Sequence, residues 1–277
     1  MRLRPFEGPV ARGYLRYAHA MFEHEIAIGH GLADRAGTIA MGLFRDEGLD
    51  VRLKADLSMV TLADTSIEAM IREQLAVSFP DDRVFGEEEG GEDPGRGRVW
   101  IVDPIDGTAN FARGVPAWGT LIALHQDGEG VLGICDMPAL GERYAAVRGE
   151  GATCNGRPIH VSEISTISDA HLLYAGIRHL LPGPYREPVL GMIADSWRDR
   201  GFGDCWAHAL VARGAAEVML EPDLSLWDFA ALQVIVEEAG GRVTTFDGGP
   251  PVHGGSVLSS NGVLHDEVLA RLALAER

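Results

Sequence analysis

Residues 99–111 read VWIVDPIDGTANF, an apolar run that ends in two aspartates three positions apart. Val99, Trp100, Ile101 and Val102 have the β-branched and aromatic character of a buried strand. A carboxylate at the end of such a strand is costly unless it is paired or bound to a metal. Asp, Pro and Gly also favour turns, so a strand simply ending in a turn is the plainer reading. The finer pattern points to a cation. Pro104 removes a backbone donor and fixes the turn, Asp106 turns its carboxylate back toward Asp103, and the Ile105 carbonyl between them supplies a third oxygen. Gly107 and Thr108 start a short helix whose exposed N–H groups suit a phosphate. One turn thus sets cation ligands beside an anion cradle.

Charge makes that pairing necessary. The 277-residue chain carries a formal net charge of −17, which disfavours nucleic acid as a partner, because phosphates there need a basic surface. A phosphorylated small molecule would be repelled as well: at about 4 Å and an effective dielectric near 20, each carboxylate–phosphate pair costs roughly 4 kcal/mol. An acidic site that handles phosphate therefore needs bound cations. No run of 18 apolar residues suggests a membrane span, and the N-terminus lacks the apolar core of a secretory signal. Cys135, Cys154 and Cys205 lie far apart without CxxC spacing, which fits reduced thiols in a cytoplasm.

Along the chain, no repeat or linker stands out. Residues 22–44 carry a helical pattern broken by Gly29, Gly31 and Gly37. Ile67, Met70, Ile71 and Leu75 then recur at helical spacing, predicting a helix over about 64–79 with a Thr65/Glu68 capping box. A short strand at RVFG empties into the acidic loop Glu87–Glu89, and strands follow at RVWIVD, GTLIALHQ, GVLGICDM and GERYAAV. The segment EGATCNGRPIHVS reads as a loop. The second half alternates strands at about 171–175, AEVMLEP, RVTTF and SVLSS with helices near 188–197, over DCWAHALVARG, over WDFAALQVIVEEAG and from Leu264 onward. Mixed elements in both halves predict a layered α/β (α+β) chain, with an N-terminal extension (1–20), an N-terminal metal-binding lobe (21–150) and a C-terminal substrate lobe (151–277).

Four acidic positions sit at element ends: Asp64, Glu87–Glu89, Asp103 with Asp106, and Asp228. Hard divalent cations such as Mg²⁺ prefer such oxygen ligands. Singly, each has a duller explanation: Asp64 and Asp228 as helix caps, the glutamates as a solvated loop. Among the ten histidines no HExxH occurs, and His208 alone is kept as a pocket residue.

GEE at 86–88, DPIDGT at 103–108, WD at 227–228 before EEAGG, and VTLAD at 60–64 together resemble the signatures of the inositol-monophosphatase-like family, in order over roughly residues 54 to 242. The resemblance implies a layered α/β/α/β/α fold in two lobes and Mg²⁺-dependent hydrolysis of a small phosphate monoester. It implies that Glu87, Asp103, the Ile105 carbonyl, Asp106 and Asp228 hold up to three Mg²⁺, and that Gly107 and Thr108 contact phosphate. Thr108, oriented by Asp64, helps position the attacking water, with Glu88 near it. A homodimer is implied too.

Fold and metals do not fix the substrate. The words GDCWAHALVARGAAEVMLEPDLSLWDFAAL look most like the histidinol-phosphate phosphatase branch of the family, whose substrate bears an ammonium and an imidazole. Asp204 and Glu221 would then be anionic partners for the amine, although Asp204 also reads as the N-cap of the following helix and Glu221 as a strand end before Pro222. The chain is thus expected to hydrolyse histidinol phosphate in histidine biosynthesis. Two alternatives remain open: an inositol-1-phosphate or sugar-phosphate phosphatase, and an inactive metal-binding or interaction protein.

Overall fold

In a computed structural model, which describes residues 22–46, 48, 51–53, 59–91, 95–180 and 183–273, the chain alternates helices and strands throughout. The expected extension over 1–20 lies outside the described residues. In chain order the elements are α1 (Glu23–Leu43), β1 (Val51–Leu53), β2 (Met59–Thr61), α2 (Leu62–Ser78), β3 (Arg83–Gly86), β4 (Arg98–Asp106), α3 (Thr108–Ala112), β5 (Gly119–Gln126), β6 (Glu129–Met137), β7 (Glu142–Val147), β8 (Gly151–Cys154) and β9 (Arg157–Ile159). There follow β10 (His171–Tyr174), α4 (Ile177–Leu180), α5 (Arg186–Asp195), β11 (Arg198–Arg200), α6 (Asp204–Ala212), β12 (Val218–Leu224), α7 (Leu226–Glu238), β13 (Arg242–Thr244), β14 (Gly255–Ser260) and α8 (His265–Leu272).

Two sheets carry the architecture among the described residues. A seven-stranded sheet runs β3-β4-β5-β6-β7-β8-β9, and a five-stranded sheet runs β11-β10-β12-β14-β13. In the first, β3 and β4 are parallel and every other neighbour is antiparallel. In the second, β10 is parallel to both β11 and β12.

Period-two alternation sorts the layers. From β4, Trp100 and Val102 face α1 and α2, packing with Leu32, Ala36, Ile67 and Ile71. Val99 and Ile101 face the other way, onto α6 and α7. The second sheet's Met219 and Val257 join that same central core, while Val218, Leu220 and Leu258 point outward onto α5 and α8 through Val189, Met192, Val268 and Leu272. The order is therefore helix, sheet, helix, sheet, helix, as the resemblance implied. Because α7 lies between two sheets, it buries Phe229, Ala231, Leu232, Val234, Ile235 and Val236 all round its circumference. No helix among the described residues is long and apolar enough to cross a membrane.

Three local expectations need correction. Helix α1 runs unbroken for 21 residues, because Gly29 and Gly37 are buried where the helix lies against β6, beside Ile134 and Asp136. The supposed loop at 150–162 contains the β8–β9 hairpin, turned by Asn155 and Gly156 at positive φ, an Asn-Gly signal that the sequence carried openly. Helix α2 begins at Leu62, and its capping box is Thr61 with Asp64 rather than Thr65 with Glu68.

Packing of α7 on the first sheet is close enough to exclude a methyl group at Gly133 of β6, where a Cβ would lie 2.3 Å from the Ala231 carbonyl oxygen. We expect Gly133→Ala to destabilise the fold by about 1–3 kcal/mol, as overpacking does. Urea denaturation checks this, and an unchanged midpoint would contradict the close approach.

Candidate active site

A regular strand would send Asp103 and Asp106 to opposite faces, since three steps reverse a side chain. Strand β4 avoids this with a bulge: Asp103 pairs with Leu121 and Asp106 with Gly119, so Pro104 and Ile105 together oppose Thr120 alone. Both carboxylates thereby emerge on one side, and both are buried. Strand β12 has a similar shift between Glu221 and Leu224.

Two helix starts add further acids. At α2 the Thr61 N–H and hydroxyl donate to Asp64 Oδ2 at 2.8 and 2.5 Å. At α7 the Ser225 N–H donates to Asp228 Oδ2 at 2.6 Å. In each, one carboxylate oxygen completes a capping box, which leaves the other for the interior. Asp64 and Asp228 are thus third residues of their helices, not the N-caps that the duller explanation made them.

Oxygens of Asp103, Asp106 and Asp228 fall within 4.8 Å of one another. Asp106 Oδ2 accepts from the Cys205 N–H at 2.6 Å, whereas the buried Asp103 Oδ1 has no hydrogen-bond partner. Glu87 is drawn level with them because its N–H bonds the carbonyl of Val102, the β4 residue just before Asp103. The Thr108 hydroxyl lies 2.9 Å from the Ile105 carbonyl and 3.3 Å from Asp64 Oδ1. Glu87, Asp103, Ile105, Asp106, Gly107, Thr108 and Asp228 line a cavity of about 380 Å³ with no Arg or Lys in its wall among the described residues. The oxygens of Asp103, Asp106 and Asp228 and a buried carboxylate oxygen without a donor together fit a hard divalent cation.

Proton affinities report the same crowding. Burial and then Glu87, Asp106 and Asp228 push Asp103 well above the usual carboxylate range. Burial and then Asp204 and Asp228 do the same to Asp106. Asp228 is raised to about 7, first by burial and then by Glu87, Glu221 and Asp204, against the Ser225 N–H. Asp64 is raised by burial, against the hydrogen bonds from Thr61.

The cavity continues past Asp204 and Glu221 into a second one of about 640 Å³, whose wall includes Phe202, Trp206 and His179. Phe202 and Trp206 stack with centroids 4.7 Å apart. Asp204 is not the N-cap of α6; that position is Gly203. Its backbone takes φ +54°, and its Oδ2 accepts from the Asn110 side-chain amide at 2.9 Å. Gly107, at φ +81°, leaves the room this needs, since a Cβ there would sit 3.3 Å from Asp204 Oδ2. Burial and then Glu221 raise Asp204 to about 7. Glu221 Oε2 is 3.1 Å from His208 Nε2, and His208 Nδ1 is 2.7 Å from the Ser259 hydroxyl. With Glu221 ionised, Nε2–H donates to it and Nδ1 accepts from Ser259.

The structure therefore gathers Glu87, Asp103, Ile105, Asp106, Gly107, Thr108, Asp204, His208, Glu221 and Asp228 around one cavity. Asp64 lies behind Thr108, fully buried. Glu88 is on the same turn but not in the cavity wall; its N–H donates to Glu68 Oε2 at 2.8 Å. Sequence reasoning missed Asn110, which fixes Asp204, Ser259, which fixes His208, and the buried Glu68. None lies in a run whose spacing announces its partner.

Comparison with known proteins places these motifs. Residues 22–276 match the model of the inositol monophosphatase family. The histidinol-phosphatase of Mycobacterium tuberculosis (strain ATCC 25618 / H37Rv) is 43% identical over 257 residues, covering 91% of this chain and 99% of the relative. That of Streptomyces coelicolor (strain ATCC BAA-471 / A3(2) / M145) is 42% identical, covering 90% and 96%. Among solved structures, a Thermotoga maritima IMPase superposes with a TM-score of 0.82 at 30% identity, covering 91% of this chain and 98% of the other.

Crowded carboxylates set a pH dependence. Asp204 and Asp228 have an ordinary value of 3.8 and rise to about 7 in the fold. Between these values the folded state keeps protons that the unfolded chain has lost, so their contribution favours folding below pH 4 and is lost as pH rises through about 7. With metal chelated, the unfolding temperature should fall between pH 5 and 8. Asp228→Asn, which keeps an oxygen for the Ser225 cap, should flatten that fall. An unchanged slope in the variant, read by differential scanning calorimetry, would contradict the assignment.

Proposed function

The chain belongs to the inositol monophosphatase family and is a phosphoric monoester hydrolase, and we propose that it hydrolyses L-histidinol phosphate with Mg²⁺, releasing histidinol in histidine biosynthesis. The observation that carries this reading is the convergence of Asp103, Asp106 and Asp228 within 4.8 Å, open to a cavity shared with Glu221 and Asp204. The oxygens of Glu87, Asp103, Ile105, Asp106 and Asp228 would hold up to three Mg²⁺. Ions bound there neutralise the repulsion between this acidic wall and a phosphate and activate water as a nucleophile.

The chain's own groups supply position and proton handling. Thr108, held by the Ile105 carbonyl, directs its hydroxyl at the place where water attacks. Asp64, tied at one oxygen by Thr61, takes the proton relayed through Thr108 at the other. The first N–H groups of α3, from Gly107 onward, lack partners inside the helix and face the phosphate oxygens.

Substrate choice falls to the far wall. Glu221 Oε2 is engaged by His208, and its Oε1 is turned toward Gly203 at the second cavity. There Glu221 and Asp204 meet the ammonium of histidinol, as charge-assisted hydrogen bonds require. Trp206 and Phe202 give its imidazole an aromatic wall. The two relatives named histidinol-phosphatase support this choice over an inositol ester.

The test is the rate of phosphate release with Mg²⁺ from histidinol phosphate, myo-inositol 1-phosphate and an aryl phosphate. Histidinol phosphate should be turned over fastest, and faster turnover of the inositol ester would overturn the substrate assignment. Glu221→Gln should lower kcat/KM on histidinol phosphate by about 10–100-fold and spare the aryl phosphate, the range expected for loss of a charge-assisted contact of about 1.5–3 kcal/mol. Equal losses on both would mean that Glu221 does not read the amine. Asp106→Asn should cut kcat by orders of magnitude on every ester while the unfolding midpoint stays near that of the parent. A rate near the parent's would exclude Asp106 from the metal site.

A further inference from the structure

The acidic loop after β3 must hold Glu87 beside the buried Asp103, and it does so through a side chain outside the cavity wall. Glu68, on α2, is fully buried. Its Oε2 accepts from the Glu88 N–H at 2.8 Å and its Oε1 from the Glu89 N–H at 3.0 Å. Arg72, one turn along α2, adds two donors to Oε1, Nε at 2.9 Å and Nη2 at 2.7 Å. The same guanidinium reaches the Gly90 carbonyl at 2.5 Å and the Val84 carbonyl at 3.3 Å, spanning both ends of the turn. Gly86 makes this possible: a Cβ there would lie 2.2 Å from Glu68 Oε1.

Four donors converge on one carboxylate, which offers about four acceptor sites and no proton. Burying a charge is tolerated only with such full pairing. The network is therefore specific to a carboxylate; an amide in its place turns an N–H₂ onto N–H donors. From this we propose that Glu68, with Arg72, is a positioning residue that clamps residues 86–90 so that Glu87 is preorganised for the metal. The proposal rests on the metal-site reading above. It explains why a glycine precedes Glu87, and it places the anchor of the turn in α2 rather than in the cavity.

Three measurements on Glu68→Gln test it. Amide exchange in the metal-free protein should speed up at least tenfold at Glu88 and Glu89, with the amides of β5 and β6 unchanged. Mn²⁺ titrated calorimetrically, without substrate, should bind at least tenfold more weakly. In turnover, the Mg²⁺ concentration for half-maximal rate should rise by a similar factor, while KM for the phosphate ester at saturating Mg²⁺ stays within twofold. A merely structural role would not split the two in this way. A folded variant with parental exchange at Glu88 and Glu89 and parental Mn²⁺ affinity overturns the proposal. Should Glu68→Gln not fold, the same comparison on Arg72→Lys, which loses the fork but keeps the charge, decides. Failure of the parent protein to bind Mn²⁺, or equal binding by Asp106→Asn, would instead overturn the metal site itself and leave the exchange result to judge the clamp.

Discussion

Mutual repulsion among buried carboxylates is the constraint around which this molecule is organised. Asp103, Asp106 and Asp228 approach within 4.8 Å, with Glu87, Asp204 and Glu221 close behind, and among the described residues no arginine or lysine enters the cavity wall to relieve them. The two sheets and five layers make such proximity mechanically possible. A strand end, two helix starts and a clamped turn are each anchored by ordinary hydrogen bonds, so the charges are held by groups that are not themselves charged toward the cavity. That leaves the compensation of charge to a cation, and phosphate binding follows as a consequence of the same cation.

The local devices repeat. Two bulges, at Asp103/Asp106 and at Glu221/Leu224, turn side chains of adjacent register onto one side. Two capping boxes, Thr61 with Asp64 and Ser225 with Asp228, use one oxygen of an aspartate to finish a helix and leave the other for the site. A structural need and a chemical one are met by one residue. Asp64 and Asp228 therefore serve the caps as N3 partners of Thr61 and Ser225, and that role leaves an oxygen of each free to face the interior.

Sequence made the local part of this legible. DPIDGT carries its own turn, and its two carboxylates are neighbours in the chain, so their convergence follows from short-range geometry. The layered fold was legible through the mixture of strands and helices in both halves. What escaped depends on contacts far apart in the chain. Glu68 reads as the capping partner of Thr65 until the turn at 86–90, some twenty positions on, folds over it. Asp204 looked like a cap until Asn110, 94 residues away, was found to hold it. The glycines of α1 read as breaks because nothing local says that β6 will lie against them. The β8–β9 hairpin is different, since Asn155-Gly156 was a local signal passed over in favour of composition.

A crystal grown with Mn²⁺ and inorganic phosphate, measured for anomalous scattering, tests the central claim most directly. Manganese peaks should stand within coordination distance of Asp103, Asp106 and Asp228, with a phosphate oxygen completing the shell on the side of Thr108. Ordered phosphate elsewhere, and no anomalous peak among these three aspartates, would contradict the account.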